Sequence, residues 1–422
     1  MLFSNISEDD LVIGSQFEKN RIIYYEVKTV NRGCRCKRCG RYHTNVKEYI
    51  TKPVKHAIYT GNKCVVLFRH RRFICPYCSR TQMDVNPFCS NGNRISDKTV
   101  EYILQLLKRY NVPFRQAAEA VGLSVRGIIK IFDRYCRMNR NPFTAAMCFD
   151  EIYFSRKRKK KYILIIINFF NRAIIDVLKD RDKSTLSSYL RKIDRRERNR
   201  VLYVCIDMND NYRDILNLYF ENAFIVADSF HVVKRISKAL YDVRNRIIRR
   251  FDKDQKCDEY YLLKYRDYLL YRKDDISMKM KYNRHFRIQM SEWELLERMK
   301  AIDPELNNAY ELYHQYIRFN DKDYADNVQC LSDLNELIND FRISGVKEFE
   351  EVARTLKNWE CEIVNSFLKF RGRRVSNGPI EGRNSLIRKV LYIANGYSNF
   401  SRFRNRIMYS LNRYSDHNFK KQ

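Results

Sequence analysis

Glycine and proline are scarce in this chain, 12 and 7 among 422 residues, and no glycine falls between Gly127 and Gly345. So long an interval with so few breakers excludes a loop-dominated middle and favours regular helices and strands. Also missing is any run of about 20 apolar residues, which excludes a helix that spans a bilayer. The longest apolar stretch, Tyr162 to Phe170, is short and rich in β-branched and aromatic residues, the pattern of a buried central strand. The start, MLFSNISEDDLVIG, lacks the basic-then-apolar order of an export signal, so a soluble, cytoplasmic protein is expected. Anionic side chains are in deficit: 50 Asp and Glu stand against 81 Lys and Arg, a formal net charge of +31. That excess repels itself in a compact fold, and a polyanion whose phosphates shed condensed counterions relieves the repulsion. A merely soluble or ribosome-associated basic protein is the plain alternative. Thirteen cysteines in a long chain without an export signal point to metal ligation and buried thiols rather than to disulfides.

The pattern divides the chain into a multidomain order. Residues 1–90 read as a small β-rich module, with the runs in VKEYITKPVKHAIYTGNKCVVLFRHRRFIC flanking a turn at TGNK. NPFCSNGNRIS reads as a linker, and residues 95–137 as helices. After a second break at RMNRNPFTAA, residues 146–234 alternate strands and helices, predicting an α/β domain with a mixed sheet. Residues 235–370 predict an all-helical insertion, and 371–422 a last segment opening on a turn and a helix start at SNGPIEGRN.

Three motifs carry chemistry. Cys36-x-x-Cys39 and Cys75-x-x-Cys78 are paired knuckles able to set four thiolates around a structural Zn²⁺, as in a zinc ribbon, with Cys34, His43 and Cys64 as rival ligands. VPFRQAAEAVGLSVRGIIKIFDRY reads as helix-turn-helix: Ala118 and Gly122 permit a close, tight turn and Ser124 caps the second helix. That helix is expected to bury Val125, Ile128, Ile129 and Phe132 and to leave Arg126, Lys130 and Arg134 free to touch DNA. An ordinary helical hairpin is the alternative. The third motif is a set of acids at the ends of expected elements: Asp150 ending MCFD, Asp207 ending YVCID, and Glu381 opening the last helix. A lone Asp after a strand is commonly a turn former, but three converging carboxylates can chelate paired Mg²⁺ or Mn²⁺ ions for phosphodiester chemistry. Six basic residues, Arg156 to Lys161, follow Asp150 and suit either phosphate contact or a solvated hairpin tip.

The order CxxC…CxxC, helix-turn-helix, FDEI, IDMNDNYRD, ADSFHVVK and SNGPIEGRNSLIRKV resembles the ISL3 family of bacterial insertion-sequence transposases over nearly the whole chain. The resemblance implies an RNase H-like catalytic domain with a DDE triad of Asp150, Asp207 and Glu381, interrupted by the helical insertion. It implies a supporting role for Asp228 and His231, which match a D-x-x-H signature, with Asp228 as a rival for the second metal ligand. Asn377 and Asn384 match the final block, and Asn384 and Arg388 are read on one helix face with Glu381, orienting it or touching DNA. The expected activity is metal-dependent cleavage of double-stranded DNA at terminal inverted repeats and joining to target DNA, by a homodimer on DNA, nucleoid-associated when bound. A zinc and helix-turn-helix regulator without catalysis, and an RNase H-like nuclease without strand transfer, are the rival readings.

Overall fold

The computed structural model describes residues 8–57, 63–89, 94–155, 159–251, 257–265 and 267–419. They group into two units, one of the described residues up to Arg140 together with those from Ser385 onward, the other Asn141–Asn384.

The first unit begins with a hairpin. Strands β1 (Leu11–Lys19) and β2 (Ile22–Thr29) pair antiparallel across Asn20 and Arg21, both at positive φ, the backbone that matches strand twist in a two-residue turn. After a two-residue hairpin of β3 (Cys34–Arg35) and β4 (Tyr42–His43) come the long antiparallel partners β5 (Val46–Ala57) and β6 (Lys63–Ile74), with β7 (Thr81–Met83) added to β6. The sheet order is β1-β2-β6-β5, and β2 runs parallel to β6. The turn expected at TGNK lies outside the described residues up to Lys63. Alternate residues of β6, Cys64, Val66 and Phe68, enter a small core with Val27, Val54 and Phe88.

Helices α1 (Asp97–Lys108), α2 (Phe114–Val121) and α3 (Val125–Tyr135) follow. Gly122 ends α2 in the left-handed region at φ 65°, and the Ser124 side chain accepts from the Gly127 N–H at 3.1 Å to start α3. The buried stripe of α3 differs from expectation. Ile128, Ile131 and Phe132 are buried, whereas Val125 is 40% exposed and Ile129 half-buried, because the first turn of α3 faces solvent and the stripe starts one turn later.

In the second unit, β8 (Ala146–Tyr153), β9 (Tyr162–Asn168) and β10 (Ile174–Leu178) form an antiparallel meander. Then come α4 (Lys183–Arg191), the short α5 (Arg195–Arg198), β11 (Tyr203–Ile206), α6 (Asp210–Tyr219) and β12 (Phe224–Ala227). The mixed sheet has the order β10-β9-β8-β11-β12, with β8, β11 and β12 parallel. Residues Ile163–Ile167 of β9 are all buried, as expected of a strand covered on both faces. Helix α7 (Ser229–Ile248) leads into α8 (Asp258–Tyr265), α9 (Glu292–Ala301), α10 (Pro304–Asp321), α11 (Asn327–Ile343), α12 (Lys347–Asn358) and α13 (Glu360–Asn365). The insertion is not all-helical as expected. A hairpin of β13 (Lys281–Asn283) and β14 (Ile288–Met290) precedes α9, turned by Asn283, whose side chain accepts from the His285 and Phe286 N–H groups, and by Arg287 at φ 58°. A second hairpin, β15 (Lys369–Phe370) and β16 (Arg373–Arg374), turns at Arg371 and Gly372, both at positive φ.

Helix α14 (Gly378–Ile393) carries Glu381 and is not the last helix. Asn395 and Gly396 at positive φ stop it, and α15 (Phe400–Leu411) follows. Where the sequence reading grouped 371–422 with the α/β core, α15 joins the first unit: Arg402 forks onto Asp133 of α3, and the Tyr409 hydroxyl donates to Leu104 O of α1 at 3.0 Å.

Candidate active site

Sheet register explains why the aspartates meet. The parallel pairs Cys205↔Cys148 and Ile206↔Ala227 bring the ends of β11, β8 and β12 level, so the next residues along, Asp150, Asp207 and Asp228, share one cross-strand row. Asp207 and Asp228 follow their strands directly. Asp150 does not end a strand as expected: β8 runs on to Tyr153 against β9, and what stops beside Asp150 is the pairing with β11.

Polar contacts knit the row together. His231, in the first turn of α7, places Nδ1 2.8 Å from Asp228 Oδ2 and 3.1 Å from Asp207 Oδ1. The Asn377 backbone N–H donates to Asp228 Oδ1 at 2.9 Å, and its Nδ2 donates to Asp207 Oδ1 at 3.0 Å. Asn384 Nδ2 donates to Asp150 Oδ2. Donor atoms of Asp207, Asp228 and His231 all lie within 4.8 Å of one another, a grouping that suits a cation. Asp150 is not part of that grouping, and neither is Glu381, which is exposed on α14. Glu381, Asn384 and Arg388 follow one another at helical spacing on α14, with Asn384 buried and Glu381 and Arg388 exposed.

Burial and mutual repulsion hold these acids in a state that invites positive charge. Burial first and the Asp207 charge second push the Asp150 carboxyl up to about 7. Asp207 is raised chiefly by burial, against the lowering effect of His231, while the Asp228 hydrogen bond raises His231. On the opposite face of β8, Glu151 accepts from Tyr212 Oη at 2.7 Å and pairs with Arg181, which locks the strand's other side. The Asn377 and Asn384 amide oxygens are buried without a partner among the described residues, a cost of about 1–3 kcal/mol each if nothing meets them. A row of carboxylates with two spare amide oxygens is the donor set that hard, oxygen-seeking divalent cations take.

The first unit holds a chemically opposite cluster. Cys36, Cys39, Cys75 and Cys78 bring their sulfurs together, with Cys36 to Cys78 at 3.5 Å and Cys39 to Cys75 at 3.6 Å. Corners of a tetrahedron with Zn–S bonds of about 2.3 Å stand about 3.8 Å apart, so the cluster is compatible with zinc. The two knuckles are built alike. Cys36 N donates to Arg41 O and Gly40 N to Cys36 O; Cys75 N donates to Arg80 O and Ser79 N to Cys75 O, all at 2.9 Å. The residue after each second cysteine, Gly40 or Ser79, takes positive φ. Backbone N–H groups of Cys39 and Arg38 hold the Cys36 thiol down at about 6, favouring the thiolate that binds metal. The rival ligands fall outside the grouping of four: Cys34 and His43 face each other at 3.8 Å, and Cys64 is in the sheet core. Gln82 braces the knuckles, accepting from Lys37 N at 2.9 Å and donating to Arg35 O at 2.9 Å.

Of the residues expected on DNA, Ser124 caps α3 while Arg126, Lys130 and Arg134 project from it exposed. In the basic run after Asp150, Arg156, Lys157 and Arg158 lie outside the described residues, and Lys160 pairs with Asp180 and Asp182. No described helix is long and apolar enough to cross a membrane.

A family model described as a transposase, of the ISL3 group, matches residues 147–407, which takes in the whole acid row and both asparagines. The chain belongs to the ISL3 transposase family. It is also similar to the transposase for insertion sequence element IS1001 of Bordetella parapertussis, 22% identical over 213 residues. That match covers 49% of this chain and 51% of the relative, so the chain spans about half the length of the curated relative it matches. Sequence reasoning found Asp150, Asp207, Asp228 and His231. It had no role for Asn377, whose contacts with Asp207 and Asp228 span 170 and 149 residues of chain.

Proposed function

We propose that this chain is an insertion-sequence transposase that binds terminal inverted repeats, cuts DNA at the element's ends and joins the freed ends to target DNA. The observation that carries the reading is the one cross-strand row of Asp150, Asp207 and Asp228, braced by Asn377 and Asn384. An RNase H-like domain is the fold that the mixed sheet and this row match best. In the first unit, the four-cysteine module as a zinc ribbon and α2–α3 as a helix-turn-helix would read the repeats, with Arg126, Lys130 and Arg134 toward DNA.

Asp150, Asp207 and Glu381 are proposed to hold the divalent ions, Mg²⁺ or Mn²⁺, with Asp228 and His231 supporting Asp207. When bound, a pair of such ions supplies the charge that activates the attacking oxygen and stabilises the leaving one. The protein groups do the positioning. Asn377 ties Asp207 and Asp228 to the segment entering α14, Asn384 ties Asp150 to α14 itself, and His231 Nδ1 bridges two carboxylates. In the first step water attacks the phosphorus at the element's end and the P–O3′ bond breaks, leaving a 3′ hydroxyl. That hydroxyl then attacks a target phosphorus and displaces its O3′, with inversion at each step and no covalent protein intermediate. Two ends require two active sites, so a homodimer on DNA in the cytoplasm is the proposed working form.

A second assignment has its own support: the short distances among Asp207, Asp228 and His231 favour Asp228 over Glu381 as the third metal ligand. One experiment tests both. Purified protein is incubated with a labelled duplex carrying the terminal repeat that flanks its gene, in Mg²⁺ or Mn²⁺, beside Glu381→Gln and Asp228→Asn. Metal-dependent cutting at the repeat boundary by the wild type supports the transposase reading, and the variant that loses cutting identifies the third ligand. Specific binding with no cutting by any of the three supports the regulator instead, and cutting without joining to a target plasmid supports a nuclease.

A further inference from the structure

Helix α7 begins at the acid row and carries basic side chains along its whole length, but its two halves treat them differently. Toward and just past its C-terminal end the basic residues meet acids: Arg246 bonds Glu305 at 2.6 and 2.8 Å and Glu348 at 3.0 Å, and Arg250 pairs with Asp303 at 2.6 Å. In the first half, Lys234, Arg235 and Lys238 are exposed and have no recorded ion pair among the described residues. Lys234 and Lys238, four residues apart, are like charges on adjacent turns, an arrangement that opposes the helix rather than supporting it. These three line one cleft of about 630 Å³ whose other lining residues include Asp207, His231 and Tyr241. Cations left unmatched beside carboxylates that themselves want positive charge are explained neither by folding nor by the acids they adjoin.

We infer that the first half of α7 is a track for the sugar-phosphate backbone of the DNA strand whose scissile phosphate lies at the acid row, with Lys234, Arg235 and Lys238 holding consecutive phosphates. The inference rests on the reading of the acid row as the cutting site. From Lys234 to Lys238 the helix advances about 6 Å, over which one strand of B-form DNA takes about two phosphate steps. Charge of the right sign and spacing thus runs directly from the acids along one side of the cleft. The exposed Phe230, 56% accessible and edge-on to the His231 ring, stands at the start of this track where a base next to the cut strand would stack.

The test separates the track from the cutting. Full-length protein binds a duplex carrying the terminal repeat in Ca²⁺, and single methylphosphonates placed along each strand neutralise one phosphate at a time. The wild type is expected to lose about tenfold in binding at two or three consecutive phosphates on one strand at the repeat boundary. The K234Q/R235Q/K238Q variant is expected to lose that sensitivity while keeping the sensitivity elsewhere, to flatten the dependence of log affinity on log salt by about 2–3, and to cut in Mg²⁺ about a hundredfold more slowly. Glutamine keeps helix propensity at these exposed positions, and a Lys192→Gln/Arg196→Gln control, on exposed residues near α5, should leave the pattern intact. An unchanged methylphosphonate pattern in the triple variant, or an unchanged salt slope, overturns the track. A wild type that shows the pattern but does not cut in Mg²⁺ leaves the track standing and removes the cutting reading instead.

Discussion

The cysteine cluster and the acid row are both sets of side chains suited to a metal, and they are assembled in opposite ways. Each cysteine knuckle is closed by hydrogen bonds within six residues, Cys36 to Arg41 and Cys75 to Arg80, and only two such turns need to meet. The acid row is assembled from three neighbouring strands and a helix entrance, with partners up to 234 residues apart in the chain. Each half of the first site is built locally, whereas the second exists only when the mixed sheet has its register. The sulfurs stand against one another with only thiol contacts between them; the carboxylates are held by asparagine amides and a histidine.

The strongest test of this contrast is Asp207→Asn, which removes the carboxylate that Asn377 and His231 both contact. Cutting of the terminal-repeat duplex should fall by about a thousandfold or more with duplex affinity changed less than about threefold; cutting near the wild-type rate would mean that the row is not catalytic. Next in size, Cys36→Ser should release one zinc per chain, measured by atomic absorption, and destabilise the first unit by about 3 kcal/mol or more in thermal unfolding. If the zinc content and melting are unchanged, the cluster is four ordinary thiols. Asn384→Ala should lower cutting by about ten- to a hundredfold through misplaced Asp150, with divalent-ion affinity, followed by titration calorimetry, weakened by a similar factor. A loss of cutting with unaltered ion affinity would move Asn384 from positioning to DNA contact. The smallest effect belongs to Ser79→Gly: Gly40 already fills the equivalent left-handed position of the other knuckle, so the change should stabilise the first unit by up to about 1 kcal/mol. Destabilisation would show that the knuckles are not equivalent.

The same contrast explains what could be read from the sequence. The knuckles, the Gly122 turn and the Ser124 cap are short-range features, and the spacing of a few residues states them directly. The strands of the mixed sheet, though not their order, were legible as apolar runs, because β9 and β10 are so thoroughly buried. The exposure of Val125 was not, since it depends on where α3 meets its neighbours rather than on its own periodicity. The hairpin between α8 and α9 was hidden by the absence of glycine and proline, its turn being made by Asn283 and Arg287. At the acid row, residue types pointed to Asp150 and Asp207, but the closeness of Asp228 and His231 and the brace from Asn377 follow from cross-strand register, which a single sequence does not print.

The return of α15 to the first unit has a consequence for the order of events on the ribosome. Arg406, 1% exposed, donates to the carbonyls of Arg109 and Val112 at 2.8 Å, and Tyr409 packs against Phe132, so α1–α3 close their core with residues made nearly three hundred positions later. While the chain is still being synthesised from its N-terminus, those helices wait unfinished. A product that stops before Phe400 leaves Arg109, Val112 and Phe132 without these partners. Premature termination therefore leaves the core of α1–α3 open where Arg406 and Tyr409 would close it.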